Sequence, residues 1–182
     1  MALTRDQARP KTAEQPDPSL EVAFRQHWSR VYGVIFRLVG DGDEAEDLAL
    51  ETFWRLYRRS PILDEGKLGG WLYRVATNLG FNALRARRRR QQYEGQAGVT
   101  DLEQSNPIDP ALAVEQAQDR QRVQAALGRM RPRSAQLLVL RYSNLSYAEI
   151  ADAIGVAPGS VGTLLARAEA EFERHYRRLE GG

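Results

Sequence analysis

The chain contains no cysteine. This excludes a disulfide framework, a thiolate metal site and a cysteine nucleophile. Histidine is almost as scarce. His27 and His175 lie far apart and have no recognisable partners in the sequence, so neither reads as a general base or a metal ligand. No catalytic constellation, cofactor motif or metal set emerges. No apolar run is long enough to span a bilayer, and the N-terminus has no signal-peptide core, so a soluble cytoplasmic protein without membrane insertion is expected. Lysine is also scarce: of 26 basic residues only Lys11 and Lys67 are not arginine. The arginine fork binds phosphate bidentately and stacks on bases, which suits a nucleic-acid surface, although codon bias in a GC-rich genome produces the same ratio.

What is present is charge in blocks. Residues 21–93 carry 13 basic and 9 acidic side chains, net +4. Residues 94–119 carry 6 acids and no base, net −6. Residues 120–182 carry 10 basic and 6 acidic side chains, net +4. Two basic blocks thus flank an acidic one.

Hydrophobic spacing is helical wherever it is regular. Residues 1–19 are polar, contain Pro10, Pro16 and Pro18, and read as a disordered tail. Phe24, Trp28, Val31, Ile35 and Leu38 then mark one face of a first helix. Asp43 is placed to cap a second helix, with Glu46 as its capping-box partner and Ala45, Leu48, Ala49, Phe53 and Leu56 inward. A glycine-bearing loop runs to Gly70, and a third helix follows over about residues 71–90. Residues 94–110, with Gly95, Gly98, Pro107 and Pro110, read as a linker. Helical signal returns at 111–130, then in a short apolar helix from Ser134, then to about residue 179. No strand pattern or internal repeat is found. The expectation is an all-α chain of two small helical domains, 20–93 and 111–182, joined by an acidic flexible linker.

Two segments carry chemistry. Ser146 and Glu149 fit a capping box, Gly155 fits a left-handed turn residue, and Pro158 fits the first turn of a following helix anchored by Val161 and Leu165. Together they read as a helix-turn-helix, though an αα-hairpin used only for packing shares many of these features. The third helix pairs Trp71, Tyr73 and Phe81 with Arg85 and a run of arginines from Arg87 to Arg90. Five arginines in six positions exceed what offsetting a helix dipole requires, which suggests phosphate tracking. Tyr73 and Phe81 read as core, and Trp71 as either core or base-stacking surface. On the second helix, Asp47 and Glu51, the latter two turns in, share a face where a basic protein partner could dock.

In order and spacing these segments resemble bacterial RNA polymerase sigma factors of the extracytoplasmic-function (ECF) group, in the sigma-70 family. The matching stretches are Ala45-Glu46-Asp47-Leu48 with Glu51-Thr52-Phe53, the run from Trp71 to Leu79 with its arginines, Leu138-Val139-Leu140-Arg141-Tyr142, and the run from Leu145 to Ala151. The resemblance implies a region-2 domain and a region-4 domain. It implies that Asp47, Glu51 and Arg55 meet the β′ coiled coil of core polymerase. It implies that Trp71, Arg74, Asn78, Asn82, Arg85, Arg87 and Arg88 read the −10 element, capturing an unstacked base. It implies that Ser160, Thr163 and Arg167 face the −35 element. Further implied partners are the β flap, promoter DNA and an anti-sigma factor, the chain being a monomer when free and not an enzyme.

The chain departs from the family pattern in places. Leu50 stands where the family usually has Gln, and residues 66–70 lack the usual aromatic and polar groups. Gly162, Leu164, Glu169 and Glu171 occupy positions where relatives carry Lys or Arg, so weak or atypical −35 reading is expected. Two rival readings follow from the residues alone. One is a dimeric helix-turn-helix regulator, which would bind two half-sites without polymerase. The other, ranked far lower, is a metal-dependent enzyme using the carboxylates of residues 41–51.

Overall fold

The computed structural model describes residues 18–59, 65–93 and 110–180, and all regular structure among them is helical. The expected tail, apart from its last two residues, and all but the last residue of the expected linker lie outside the described residues. Three helices come first: α1 (Pro18–Val39), α2 (Gly42–Arg59) and α3 (Glu65–Tyr93). Four follow: α4 (Pro110–Arg129), α5 (Pro132–Tyr142), α6 (Tyr147–Ile154) and α7 (Val161–Glu180), with a short 3-10 turn at Pro158–Ser160 leading into α7.

The first bundle forms because each helix carries one apolar stripe. Val31, Val34, Ile35 and Leu38 of α1 meet Ala45, Ala49 and Phe53 of α2 and Leu72, Tyr73 and Ala76 of α3, all buried. Each buried Val, Leu or Ile contributes roughly 1.5–3 kcal/mol, so an apolar stripe rather than helix propensity holds each helix in place. The second bundle is built likewise from Leu137, Leu138, Val139 and Leu140 of α5, Ile150, Ala151 and Ala153 of α6, and Val161, Leu165 and Ala168 of α7. The buried residues of both bundles form one continuous core.

Two local expectations are corrected. The cap of α2 is Asp41, not Asp43: its Oδ1 accepts the Glu44 backbone N–H at 2.7 Å. Gly40, at φ 73°, completes the reversal, so the chain re-enters a helix two residues early. Residues 66–70 are not a loop but the first turns of α3, which begins at Glu65. Glycine lowers helix propensity there by about 1 kcal/mol per residue, and tertiary packing of this turn overrides that cost. A smaller difference is that α5 starts at Pro132 rather than Ser134, with proline in the first turn, where no N–H is needed.

Candidate nucleic-acid and protein interfaces

Along α3 the residues Arg74, Asn78, Asn82 and Arg85 recur every three or four positions and are all exposed, with half-buried Trp71 at the head of the row. That spacing puts them on a single helix face. Arg89 extends the row and is exposed too. Arg87 lies about 200° round the helix from Arg85 and points elsewhere. Its Nη1 donates to the Val39 carbonyl at 3.3 Å, closing the end of α1. The Arg88 guanidinium lies on α4, where a methyl group added at Gly128 would stand 2.5 Å from its Nη1. The basic run therefore divides between an exposed row and contacts that fasten helices together. Tyr73 and Phe81 are buried, as expected for core.

Arg74 is engaged by the second bundle. Its Nε donates to the Ala153 carbonyl at 2.6 Å and its Nη2 to the Asp152 carbonyl at 2.9 Å. Both acceptors lie at the C-terminal end of α6. One turn earlier, a Cβ on Gly70 would stand 2.8 Å from the Asp152 Cβ and 3.0 Å from its carbonyl carbon. Backbone cannot yield as a side-chain tip can, so this contact requires glycine. The Gln136 side chain of α5 reaches Thr77 of α3 at 2.5 Å, and Arg30 of α1 pairs with Glu149 of α6.

The helix-turn-helix forms as its sequence predicts. The Glu149 carboxylate accepts the Ser146 backbone N–H at 2.8 Å, and the Ser146 hydroxyl accepts the Glu149 N–H at 3.3 Å. Such a cap stabilises a helix by about 1 kcal/mol. Gly155 takes φ 69°, the left-handed conformation that ends α6 and turns the chain. Behind the turn Val161 and Leu165 are buried, while Ser160, Thr163 and Arg167 are exposed at intervals of three and four. The sequence reading missed Arg141, whose guanidinium stacks 5.8 Å from the centre of the exposed Tyr147 ring beside this helix.

Glu171 is not a groove-facing acid. It is 4% exposed and holds the Arg131 backbone N–H at 2.7 Å and the guanidinium at 3.0 Å. Burial alone would raise its carboxyl pKa. Arg131 and the Ser134 hydroxyl outweigh that and hold it below the ordinary value. Its charge fixes the α4–α5 corner to α7. Glu169 lines a trough with Arg120 and Phe172, on the side of α7 that faces α4 and α5.

On α2, Asp47 and Arg55 are exposed and Glu51 is half-buried, its Oε1 accepting from Arg55 Nε at 2.8 Å. The same face carries three large apolar groups: Leu50, 48% exposed, Trp54, 53%, and Tyr57, 43%. The Trp54 and Tyr57 rings stack with centres 5.4 Å apart. The helical advance of about 100° per residue sets Trp54 between Leu50 and Asp47. This stripe was missed, although the spacing 50, 54, 57 on the outer side of α2 could have revealed it.

His27 does have a partner. Its Nδ1 is 3.2 Å from the Tyr73 hydroxyl, and burial, then Arg30, lower its pKa against a smaller upward pull from Glu149. Burial would likewise raise Glu149, but Ser146 and Arg30 hold it low. Among the described residues no cluster of His, Asp or Glu could hold a metal ion, and no helix is long and apolar enough to cross a membrane.

Comparison with known proteins matches the chain to a family. Residues 23–90 match the model of sigma-70 region 2, and residues 120–172 that of sigma-70 region 4. The chain is 34% identical over 156 residues to the ECF RNA polymerase sigma factor SigE of Mycolicibacterium smegmatis, covering 85% of this chain and 60% of that protein. It is 29% identical over 158 residues to the ECF sigma factor SigW of Bacillus subtilis, covering 82% of this chain and 84% of that one. In fold it is similar to the sigma factor RpoE solved in complex with the anti-sigma factor NepR from Bartonella quintana. The TM-score there is 0.55 at 19% identity, over 87% of this chain and 97% of that one. Both halves of the architecture, in one order and on one chain, place it in the sigma-70 family, among the RNA polymerase sigma factors of the ECF group.

Proposed function

We propose that the chain directs core RNA polymerase to specific promoters and assists their opening, acting in the cytoplasm and leaving catalysis to the polymerase. The observation that carries this reading is the pairing of two separate exposed polar rows on one chain. One is Arg74–Asn78–Asn82–Arg85 on α3, and the other is Ser160–Thr163–Arg167 at the start of α7. In this reading residues 20–93, with Trp71, Arg87 and Arg88 beside the first row, serve the −10 element. Residues 94–110 link, and residues 111–182 serve the −35 element. Asp47, Glu51 and Arg55 dock on the β′ coiled coil, with Trp54 as the apolar anchor beside them. The β flap takes the second domain. The two basic domains hold the melted state of the duplex and offset its unstacking, as base-flipping proteins do.

An anti-sigma factor is the proposed regulator. A trough of about 550 Å³ supports that role: Phe36 and Arg37 of α1 line it together with Arg120, Leu127, Leu138 and Phe172 of the second bundle. It touches both domains, as a clamp would have to. The deciding experiment is run-off transcription with purified core polymerase and genomic DNA. Discrete starts that depend on the chain support the reading. A free dimer that binds a palindrome tightly and gives no polymerase-dependent start would establish the dimeric regulator instead.

A further inference from the structure

We propose that Lys67 and Arg89, at the two ends of the α3 row, are further promoter contacts: Lys67 holds phosphates of the melted strand and Arg89 those of the duplex behind it. The proposal rests on the promoter-reading function above and deepens it.

The cations of this face differ in what they already hold. Arg74 donates to the Ala153 and Asp152 carbonyls, and Arg85 Nη1 donates to Asn82 Oδ1 at 3.2 Å. Lys67 and Arg89 are exposed and form no ion pair among the described residues. Phosphate is the anion that DNA brings to such a charge. The rest of the arginine run does not compete for this role. Arg87 closes the end of α1, and Arg88 lies on α4. Arg90 is exposed, but the helical advance turns it about 100° from Arg89 and off the row.

Helix geometry sets how far the row reaches. α3 runs unbroken from Glu65 to Tyr93. At about 1.5 Å per residue, Trp71 and Arg85 stand about 21 Å apart, roughly six steps of duplex at about 3.4 Å each. Lys67 lies one turn before Trp71 and Arg89 one turn after Arg85, each about 6 Å further out. From Lys67 to Arg89 the row therefore spans about 33 Å, or roughly ten steps. Trp71 is the residue proposed to take the unstacked base, which puts melted DNA at the N-terminal end of the row and paired DNA at the other. The chemistry suits that division. An ammonium is a compact point charge on a flexible stem and follows a single strand, whereas a guanidinium fork fits phosphate fixed in a duplex. Lys67 is on the row because residues 65–70 are helical; in a loop it would have no fixed relation to Trp71.

The test is the salt dependence of DNA binding by the full-length chain joined to core polymerase, on a promoter taken from a run-off start. One labelled probe is promoter duplex that continues into a single-stranded tail through the downstream part of the −10 element. The other stops where the duplex ends. A lost phosphate contact reduces the slope of log affinity against log salt by about 0.9 on duplex and about 0.7 on a single strand, or about fivefold and fourfold in affinity at about 0.15 M. Arg89→Gln is expected to reduce the slope with both probes, and Lys67→Gln with the tailed probe alone. Arg89→Lys and Lys67→Arg keep the charge and should keep the wild-type slope. Arg90→Gln should leave both slopes as they were. Exposed substitutions shift stability little, and a melting curve on each sample checks the fold. Unmoved slopes in Arg89→Gln or Lys67→Gln would overturn the proposal. So would an equal loss in Arg90→Gln, which would show diffuse charge rather than a row. Wild-type holoenzyme that binds neither probe sinks the promoter-reading function itself, whereas wild-type binding with unmoved slopes sinks this assignment alone.

Discussion

The outer faces of α2 and α3 belong to one small bundle, yet the row on α3, though exposed throughout, is bonded to the second bundle at Arg74. On α2, Trp54 and Leu50 stand about half exposed beside Asp47. On α3, Arg74 is bonded to α6 and Gly70 lies buried beneath it. The difference suggests an order of events. The face proposed for polymerase is exposed as it stands, whereas on the face proposed for DNA Arg74 already gives its guanidinium donors to α6 carbonyls and must exchange them for phosphate. Weak binding of promoter duplex by the isolated protein follows, and modest charge adds to it, since each basic block nets only +4.

The sharpest way to break this contrast is to destroy the α2 face alone. Replacing Asp47 and Glu51 together by lysine is expected to weaken core-polymerase binding by 100-fold or more. Like charge would then meet the basic partner surface that the acids were proposed to fit. Thermal stability should change by less than about 0.5 kcal/mol, because surface substitutions rarely do more. Titration against core polymerase, with a melting curve on the same sample, checks both statements. Unchanged affinity would remove α2 from the interface.

Trp54→Ala comes next in size. An exposed tryptophan amid near-neutral neighbours has the character of an interface anchor, and truncating such anchors costs about 2 kcal/mol, or roughly 30-fold in affinity. Thermal stability should change little, because Trp54 is exposed. A loss of core affinity below threefold would show that the stripe is not an anchor.

How much of this was legible in sequence depended on distance along the chain. Ser146, Glu149, Gly155 and Pro158 lie within a dozen residues, and local chemistry predicted each of their roles. The inward faces of α1 and α2 followed from apolar spacing. The glycines at 69 and 70 misled, because what they accommodate is remote: His27 lies against one and Asp152 against the other. A glycine run reads as a loop until the neighbour that needs the room is known. Glu171 misled similarly. It lies near a recognition helix in sequence, but its partner Arg131 is 40 residues away. The row on α3 was legible as a set of residue types, whereas the division of the arginines, with Arg87 and Arg88 turned toward α1 and α4, required the packing.

A gentler variant loosens the bonded face without touching DNA-facing groups. Glu149→Gln keeps an N3 residue able to complete the capping box but removes the charge facing Arg30. Partly exposed ion pairs contribute about 0.5 kcal/mol, so the contact of α6 with the first bundle should weaken by about twofold. Binding of the free protein to duplex should rise by a similar factor, and binding to core polymerase should not change. Fluorescence anisotropy with labelled DNA reads the first, and no rise at all would show that this pair does not hold Arg74 away from DNA.

The smallest expected effect is a pH dependence confined to the seam between α1, α3 and α6. His27 faces Tyr73, Arg30 and Glu149 there, and burial together with Arg30 lowers its pKa below 6.5. In the unfolded chain His27 takes up a proton near pH 6.5, while in the folded chain it resists until a lower pH. The unfolded state thus binds more protons just below 6.5, and stability falls as pH drops through that value. Glu149 and Glu171 are held below 4.5, so their contributions are lost only in a more acidic window. Lowering pH from 7.5 to 5.5 should therefore reduce the melting midpoint slightly, by under about 2 °C for a chain of this size. His27→Gln should remove part of that fall while leaving the midpoint at pH 7.5 nearly unchanged. A fall of equal size in the variant would show that the seam does not sense pH through His27.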